Sequence, residues 1–340
     1  VRGFYQPWEG GGKEMKARGK TKAVAAVAVI LLVMASAVPE VFAWGSATHA
    51  YIDDHLGVGK KSPLRNINEI YGGMAPDVFN YLFEHITDWY PYLYTQTHYT
   101  NFEVVWENAC TKLGKSEAYG FVSHNNLWGA DFWAHGIRKP DGTWAYKGYV
   151  IKKAEALRDM PKPEGLPELD DLFGSDVAFE LYHNVVEAAV DILVANKDRT
   201  IGSKMASSAF LRSPELPLLL VKAYAKNFAN EFNMDESAAT TVILESEKAF
   251  RKTVILYGQA LMHGENTSIQ LVSEQLSEMA VSFLAGYGVT IPDSLKNQLP
   301  ALTNAYIQLA ITVCQTDFES EIASTIENVK QQLETNGISH

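Results

Sequence analysis

Residues 174–196 read GSDVAFELYHNVVEAAVDILVAN. Apolar side chains recur along this stretch at three- and four-residue intervals, the period of an α-helix with a buried face. Within it His183 and Glu187 stand four apart, on adjacent turns of one face. Working outward, the same period runs through 44–56, 103–113, 118–137, 147–159, 215–231, 235–262, 267–286 and 300–335. Asp176 and Asp235 stand just before periodic runs, where N-caps or first-turn acids belong. Breaks fall at Lys139-Pro140-Asp141-Gly142, at Pro161-Lys162-Pro163-Glu164-Gly165 and from Gly286 to Pro292. Convincing alternating strands, internal repeats and low-complexity tracts are absent. The expected class is all-α, a multi-helix bundle.

Composition narrows the function. The 340 residues carry 29 Lys+Arg against 40 Asp+Glu, a net charge of −11, with 47% hydrophobic residues. That balance argues against a disordered or collagen-like chain. The acidic excess also argues against binding nucleic acid by blanket phosphate neutralisation. With only Cys110 and Cys314, neither a disulfide-dense scaffold nor a Cys-rich zinc motif fits. Whether those two pair stays open.

The N-terminal part reads as a targeting segment. Val1 to Glu14 is upstream sequence, and Met15 starts a better pattern. Lys16, Arg18, Lys20 and Lys22 form a positive region ahead of an apolar run, AVAAVAVILLVMASAV, at 23–38. Pro39 follows, then Val41-Phe42-Ala43, a signal-peptidase pattern. Ala35-Ser36-Ala37 is a competing cleavage site. Sixteen residues are short for an uncleaved membrane anchor. Cleavage after Ala43 is expected to leave Trp44 first in a soluble, exported chain of 23 basic and 37 acidic residues, net −14.

Chemistry concentrates in the first half. Seven of nine histidines lie between 49 and 183, whereas 201–340 is rich in Leu, Ala, Ser and Glu and reads as a helical extension packed on, or tethered to, a part spanning 44–200. In 121–135, FVSHNNLWGADFWAH, His124, Asp131 and His135 are seven and four residues apart. On one continuous helix they fall within roughly 40° of each other and present imidazole, carboxylate, imidazole. With His183 and Glu187, two helices then carry His–carboxylate pairs able to reach a cation from adjacent turns. A set of nitrogen and oxygen ligands without thiolate suits zinc in a catalytic site.

Three further segments complete a series: Trp44-Gly45-Ser46-Ala47-Thr48-His49, Gly72-Gly73-Met74-Ala75-Pro76-Asp77 with an acid after a Gly/Pro turn, and Thr97-His98-Tyr99-Thr100-Asn101-Phe102. Taken in order, these segments resemble the zinc-dependent phospholipase C family. Its fold is shared with zinc nucleases that cleave single strands and remove 3′-phosphates, and with the catalytic domain of the GPI-anchor phospholipase D. The resemblance runs from Trp44 to about Asp191, under half of the chain. It implies a centre of two to three zinc ions. The free amine and carbonyl of Trp44, with His49, Asp77, His98, His124 and a metal-bridging Asp131, would hold two of them. His135, His183 and Glu187 would hold the third. It also implies in-line attack on phosphorus by a metal-bound hydroxide, with Asp77 a ligand and a base for the attacking water. One departure stands out. The family usually places its first helical His four residues before the bridging Asp, and here the gap is seven, about 4.5 Å of extra rise on a continuous helix. The four-residue step from Asp131 to His135 is more like the GPI phospholipase D branch.

The expected activity is hydrolysis of phospholipid headgroup esters. Phospholipid or another phosphodiester would be the substrate, with transient contact at a membrane surface and no stable nucleic-acid partner. The alternatives are a zinc-dependent single-strand nuclease or 3′-nucleotidase, and a non-catalytic metal-binding envelope protein acting through its C-terminal helices. Other candidates read as structural. His55 faces away from His49 on a helix. His85 sits in an aromatic stretch that fits core or loop anchor better than a cleft rim. Trp128 and Trp133 read as packing groups, and His263 and His340 as surface residues. Asp191, one turn beyond Glu187, reads as an acceptor orienting His183 or as a solvated acid.

Overall fold

The computed structural model describes residues 44–57, 62–139, 142–286, 288 and 290–339, apart from the side chain of Asp176. The leader reading of 1–43, the turn residues Pro140 and Asp141, the cap at Asp176 and the terminal His340 lie outside what is described. Among the described residues are sixteen α-helices and one short hairpin, so the architecture is all-α. None of these helices is long and apolar enough to cross a membrane.

The pair at the centre is Pro63–Met74 and Lys112–His124. Proline opens the first, where its missing N–H costs nothing, and Ser62 Oγ accepts from Arg65 N. Thr111 Oγ1 accepts from Gly114 N at 3.0 Å and starts the second. Their backbones touch. A Cβ on Gly72 would lie 2.0 Å from the Glu117 carbonyl oxygen, and one on Gly120 would lie 2.1 Å from that of Glu69. Gly72-Gly73 is therefore the last turn of a helix rather than part of a Gly/Pro turn, and the chain tightens only at Ala75–Phe79. Pro63–Met74 is not among the expected helices, although Leu64, Ile67, Ile70, Tyr71 and Met74 recur at three- and four-residue spacing along it.

Four other expectations change. Residues 103–113 hold the short helix Glu103–Asn108 and the start of Lys112–His124, not one helix. Residues 118–137 are not one helix: the first helix ends at His124 and a separate one spans Ala130–His135. A two-stranded antiparallel hairpin, Gly136–Arg138 with Trp144–Lys147, occupies the Lys139–Gly142 break, its strands too short to alternate visibly. Residues 300–335 divide into Leu299–Cys314 and Phe318–Thr335. Asp235 does hold the N-cap position of Glu236–Leu261, without a side-chain cap bond.

The C-terminal helices are packed on the histidine-bearing part. Leu299–Cys314 lies against Ser175–Lys197, and Phe318–Thr335 lies against Ser46–Leu56. One buried apolar cluster runs from Trp44 to Ile338. Cys110 is exposed, Cys314 is buried, and both are free.

Gly120→Ala is expected to destabilise the fold by about 1–3 kcal/mol in urea unfolding, because the added methyl forces the two central helices apart. Gly264→Ala, whose Cβ would meet nothing within 4 Å, is expected to change stability by less than about 0.5 kcal/mol.

Candidate metal centre

Six separate elements deliver the predicted ligands. His49 comes from Ser46–Leu56, Asp77 from the 3-10 turn Ala75–Phe79, and His98 from the π-turn Gln96–Thr100. His124 is the last residue of its helix, Asp131 and His135 belong to Ala130–His135, and His183 and Glu187 to Ser175–Lys197. The seven-residue gap is absorbed between His124 and Asp131. Asn125 Oδ1 accepts from the backbone N–H of Leu127, Trp128 and Gly129 at 2.8, 3.0 and 3.3 Å, folding the chain back on itself. A Cβ on Gly129 would come within 2.6 Å of the Asn125 backbone, so only glycine fits the tightest point. The turn cancels the rise that a continuous helix would have imposed.

Asp131 is the hub. Its Oδ1 lies 3.0 Å from His49 Nε2, and its Oδ2 lies 3.1 Å from His124 Nε2 and 3.7 Å from His98 Nε2. Asp77 Oδ1 lies 3.4 Å from His98 Nε2 and 3.8 Å from His124 Nε2. His49 and His124 stack with ring centroids 3.8 Å apart. Two ligand groups result, His49–His124–Asp131 and Asp77–His98–His124, sharing His124. In a third group, His183 Nε2 lies 2.7 Å from Glu187 Oε1 and 3.1 Å from His135 Nε2, and His135 Nε2 lies 3.5 Å from the same Glu187 oxygen. All eight residues are buried.

These clusters can hold metal ions. Four nitrogen and oxygen ligands at tetrahedral angles around zinc stand about 3.3 Å from each other, within the span of the distances above. The buried Nε2 atoms of His49, His98 and His124 and both oxygens of Asp131 make no hydrogen bond of acceptable geometry. The opposite nitrogens are engaged in two of the three rings. His124 Nδ1 meets Gly73 O at 2.7 Å, and His98 Nδ1 meets Thr97 Oγ1 at 2.7 Å and Tyr94 O at 3.2 Å. A carbonyl partner fixes the proton on Nδ1 and turns the Nε2 lone pair inward, the arrangement a ligand needs.

Burial disfavours a charge on His124, but the carboxylates of Asp131 and Asp77 outweigh it and lift the imidazole pKa to about 9. Burial, reinforced by His124, pushes His49 down to about 4, and burial lowers His98 as well. Burial alone would raise Asp131 and Asp77; His124 instead holds both below the usual carboxylate range. Two carboxylates thus face one imidazolium, an excess of negative charge suited to a cation. In the third group, burial again opposes the charge on His183, and Glu187 and Glu180 raise its pKa well above the ordinary value.

Trp44 is buried, its indole N–H donating to Ala130 O at 3.0 Å and its ring stacked on Tyr149. The side chain is a packing group, so a role at the cations rests on the main chain. The carbonyl it grips is that of the residue before Asp131. Asp191 is neither solvated nor bound to His183. It is buried and accepts from Ala47 N, Thr48 N and Thr48 Oγ1 at 3.1, 2.8 and 2.7 Å, fixing the start of the His49 helix. The acceptor near His183 Nδ1 is Glu180, at 3.4 Å. Its three-residue offset from His183 was legible on the helix. Two other supports were not: Asn80 Nδ2 donates to Asp77 Oδ1 at 2.8 Å, and Asn126 Oδ1 lies 3.4 Å from His135 Nδ1.

His55 is half-buried and bonds to Tyr51 O, while His85 stacks on Trp89 within an aromatic cluster that includes Phe228. Trp128 and Trp133 pack on Phe102 and Phe132, and His263 is exposed. A cavity partly open to solvent borders the third group at Glu187, lined among others by Gly45, Tyr81, Asn184, Asp191 and Tyr257.

An ion that takes His124 Nε2 must expel the proton held there below pH 9. Zinc affinity measured by calorimetry is therefore expected to rise about tenfold per pH unit from pH 6 towards 9 and then flatten; a flat profile below pH 8 would contradict the assignment. Glu180→Gln is expected to weaken one zinc equivalent about 10–100-fold and leave the others unchanged. Compared with protein-family models, curated proteins and solved structures, the chain has no significant match.

Proposed function

We propose that this chain is an exported zinc-dependent phosphodiesterase of the phospholipase C type. Its leader would direct it across a membrane, and cleavage after Ala43 would free the Trp44 amine. The observation that carries the reading is Asp131, with one carboxylate oxygen facing His49 and the other facing His98 and His124. A carboxylate divided in this way is suited to bridging two ions. The order of Trp44, His49, Asp77, His98, His124, Asp131, His135, His183 and Glu187 along the chain, in the pattern of the zinc-dependent phospholipase C family, supports it further.

Bound zinc would supply Lewis acidity towards the phosphoryl oxygens and lower the pKa of an attacking water. The chain's own groups do the positioning. Asn80 holds Asp77 Oδ1 beside His98 and His124, so the Asp77 carboxylate is placed to take a proton from water attacking in line. His98 and His124 are fixed in orientation by Tyr94 O and Gly73 O and need not reorganise during the reaction. Glu187 belongs both to the third ligand group and to the cavity wall, which supports a role for that group at the leaving oxygen.

The test supplies zinc-loaded, processed protein with phosphatidylcholine and, separately, single-stranded DNA. Release of phosphocholine is expected, lowered about 10²–10⁴-fold by Asp77→Asn and lost at pH 4, where a proton on His124 competes with the cation. Release of 5′-nucleotides instead would favour the nuclease reading. Inertness towards both substrates with metal bound would favour a non-catalytic envelope protein.

A further inference from the structure

The cavity beside Glu187 does not end there. Asn184, Leu276 and Met279 also line a second cavity, partly open to solvent and walled by Phe83, Val177, Leu181, Val185 and Phe283. That cavity shares Leu181, Val185, Ala280, Leu284 and Thr303 with a third, which reaches Phe173, Ile291 and Leu299. The three follow the helix Ser175–Lys197 from its metal-ligand turn back towards its N-terminus. The other wall comes from Glu265–Gly286 and Leu299–Cys314, in the half of the chain that carries no metal ligand.

We propose that this row of cavities is a binding site for a single alkyl or acyl chain, with the phosphoryl head of the same molecule at the metal centre. The inference rests on the phosphodiesterase reading and adds to it where, against the C-terminal helices, the hydrocarbon part of the substrate lies. Polarity supports it: the carboxylates of Glu187 and Asp191 line one end, with His183 and His135 on the Glu187 carboxylate behind that wall, and the walls turn apolar past Asn184. Glu180 is the one ionisable group in the second cavity's wall, and its carboxylate is turned to His183. Length agrees as well. Val177 to Glu187 spans about 15 Å of helix, about half the hydrocarbon thickness of a bilayer and so one chain's depth. A polynucleotide would bring a charge with every unit and leave it unpaired among Leu181, Val185, Leu276 and Met279. The unbranched Met279 lets the wall adjust to a flexible chain.

The test measures binding of methyl-, hexyl-, octyl- and decylphosphonate to the zinc-loaded full chain by calorimetry, each below its micelle-forming concentration. The C–P bond of these probes resists hydrolysis. Methylphosphonate reports the metal centre alone, and failure of every probe to bind would overturn the phosphodiesterase reading itself. From hexyl to decyl, affinity is expected to rise about two- to fourfold per added methylene. Binding of methylphosphonate without that rise would overturn the chain site and leave the metal centre standing. Ala280→Trp, which fills the junction of the two apolar cavities, is expected to abolish the rise; a rise that survives the substitution also overturns the proposal. Independently of any variant, decylphosphonate tipped with a diazirine should label peptides within 173–185 and 276–306, and labelling elsewhere would contradict the assignment.

Discussion

Everything at the centre of this molecule depends on one buried carboxylate, Asp131, and on the three imidazoles around it. An ionised carboxylate out of contact with water costs several kcal/mol unless it is compensated. Here the compensation is the His124 imidazolium or, on our reading, a pair of cations. The groups are too far apart or too misaligned to satisfy each other by hydrogen bonds alone. Such a cluster is poor as a structural core and well made as a ligand shell.

Holding it requires backbones to approach more closely than side chains normally permit. Gly72 and Gly120 let two helices touch, and this contact brings the Gly73 carbonyl to His124 Nδ1. On the far side Asn125 caps the amides of the following turn, and Gly129 lets the chain pass. The indole of Trp44 grips the carbonyl before Asp131, while Asp191 anchors the first turn of the His49 helix. The ligands are thus positioned by groups that bear no metal chemistry of their own.

The C-terminal helices change how the centre is to be read. They share one apolar core with the histidine-bearing part and wall the cavities that lead away from Glu187. A metal centre open only to water would handle any phosphodiester that reached it. On our reading, one that continues into an apolar trough favours molecules that carry both a charged head and a long hydrocarbon tail.

The sequence alone was enough for the helical class, because helical period is a local property. His–carboxylate spacing singled out His124, Asp131, His135, His183 and Glu187. His49, Asp77 and His98 entered only through the resemblance, and the structure brings all eight into groups that could hold metal ions. The resemblance also placed Trp44 at the head of the series. The path from His124 to Asp131 was not legible: a continuous helix and a capped turn place the same residues on quite different trajectories, and the Asn125 side chain decides between them. Asp191 likewise looked like a partner of His183 from its place on the helix, until the fold set the Thr48 amide and hydroxyl in front of it. Gly72-Gly73 looked like a turn because a helix–helix contact through glycine needs a partner more than forty residues away. Which nitrogen faces Asp131 and Asp77, which carboxylate supports which imidazole, and where the apolar cavities run are consequences of long-range packing. Only the tertiary structure decides them, since each depends on residues that the chain brings together from distant positions.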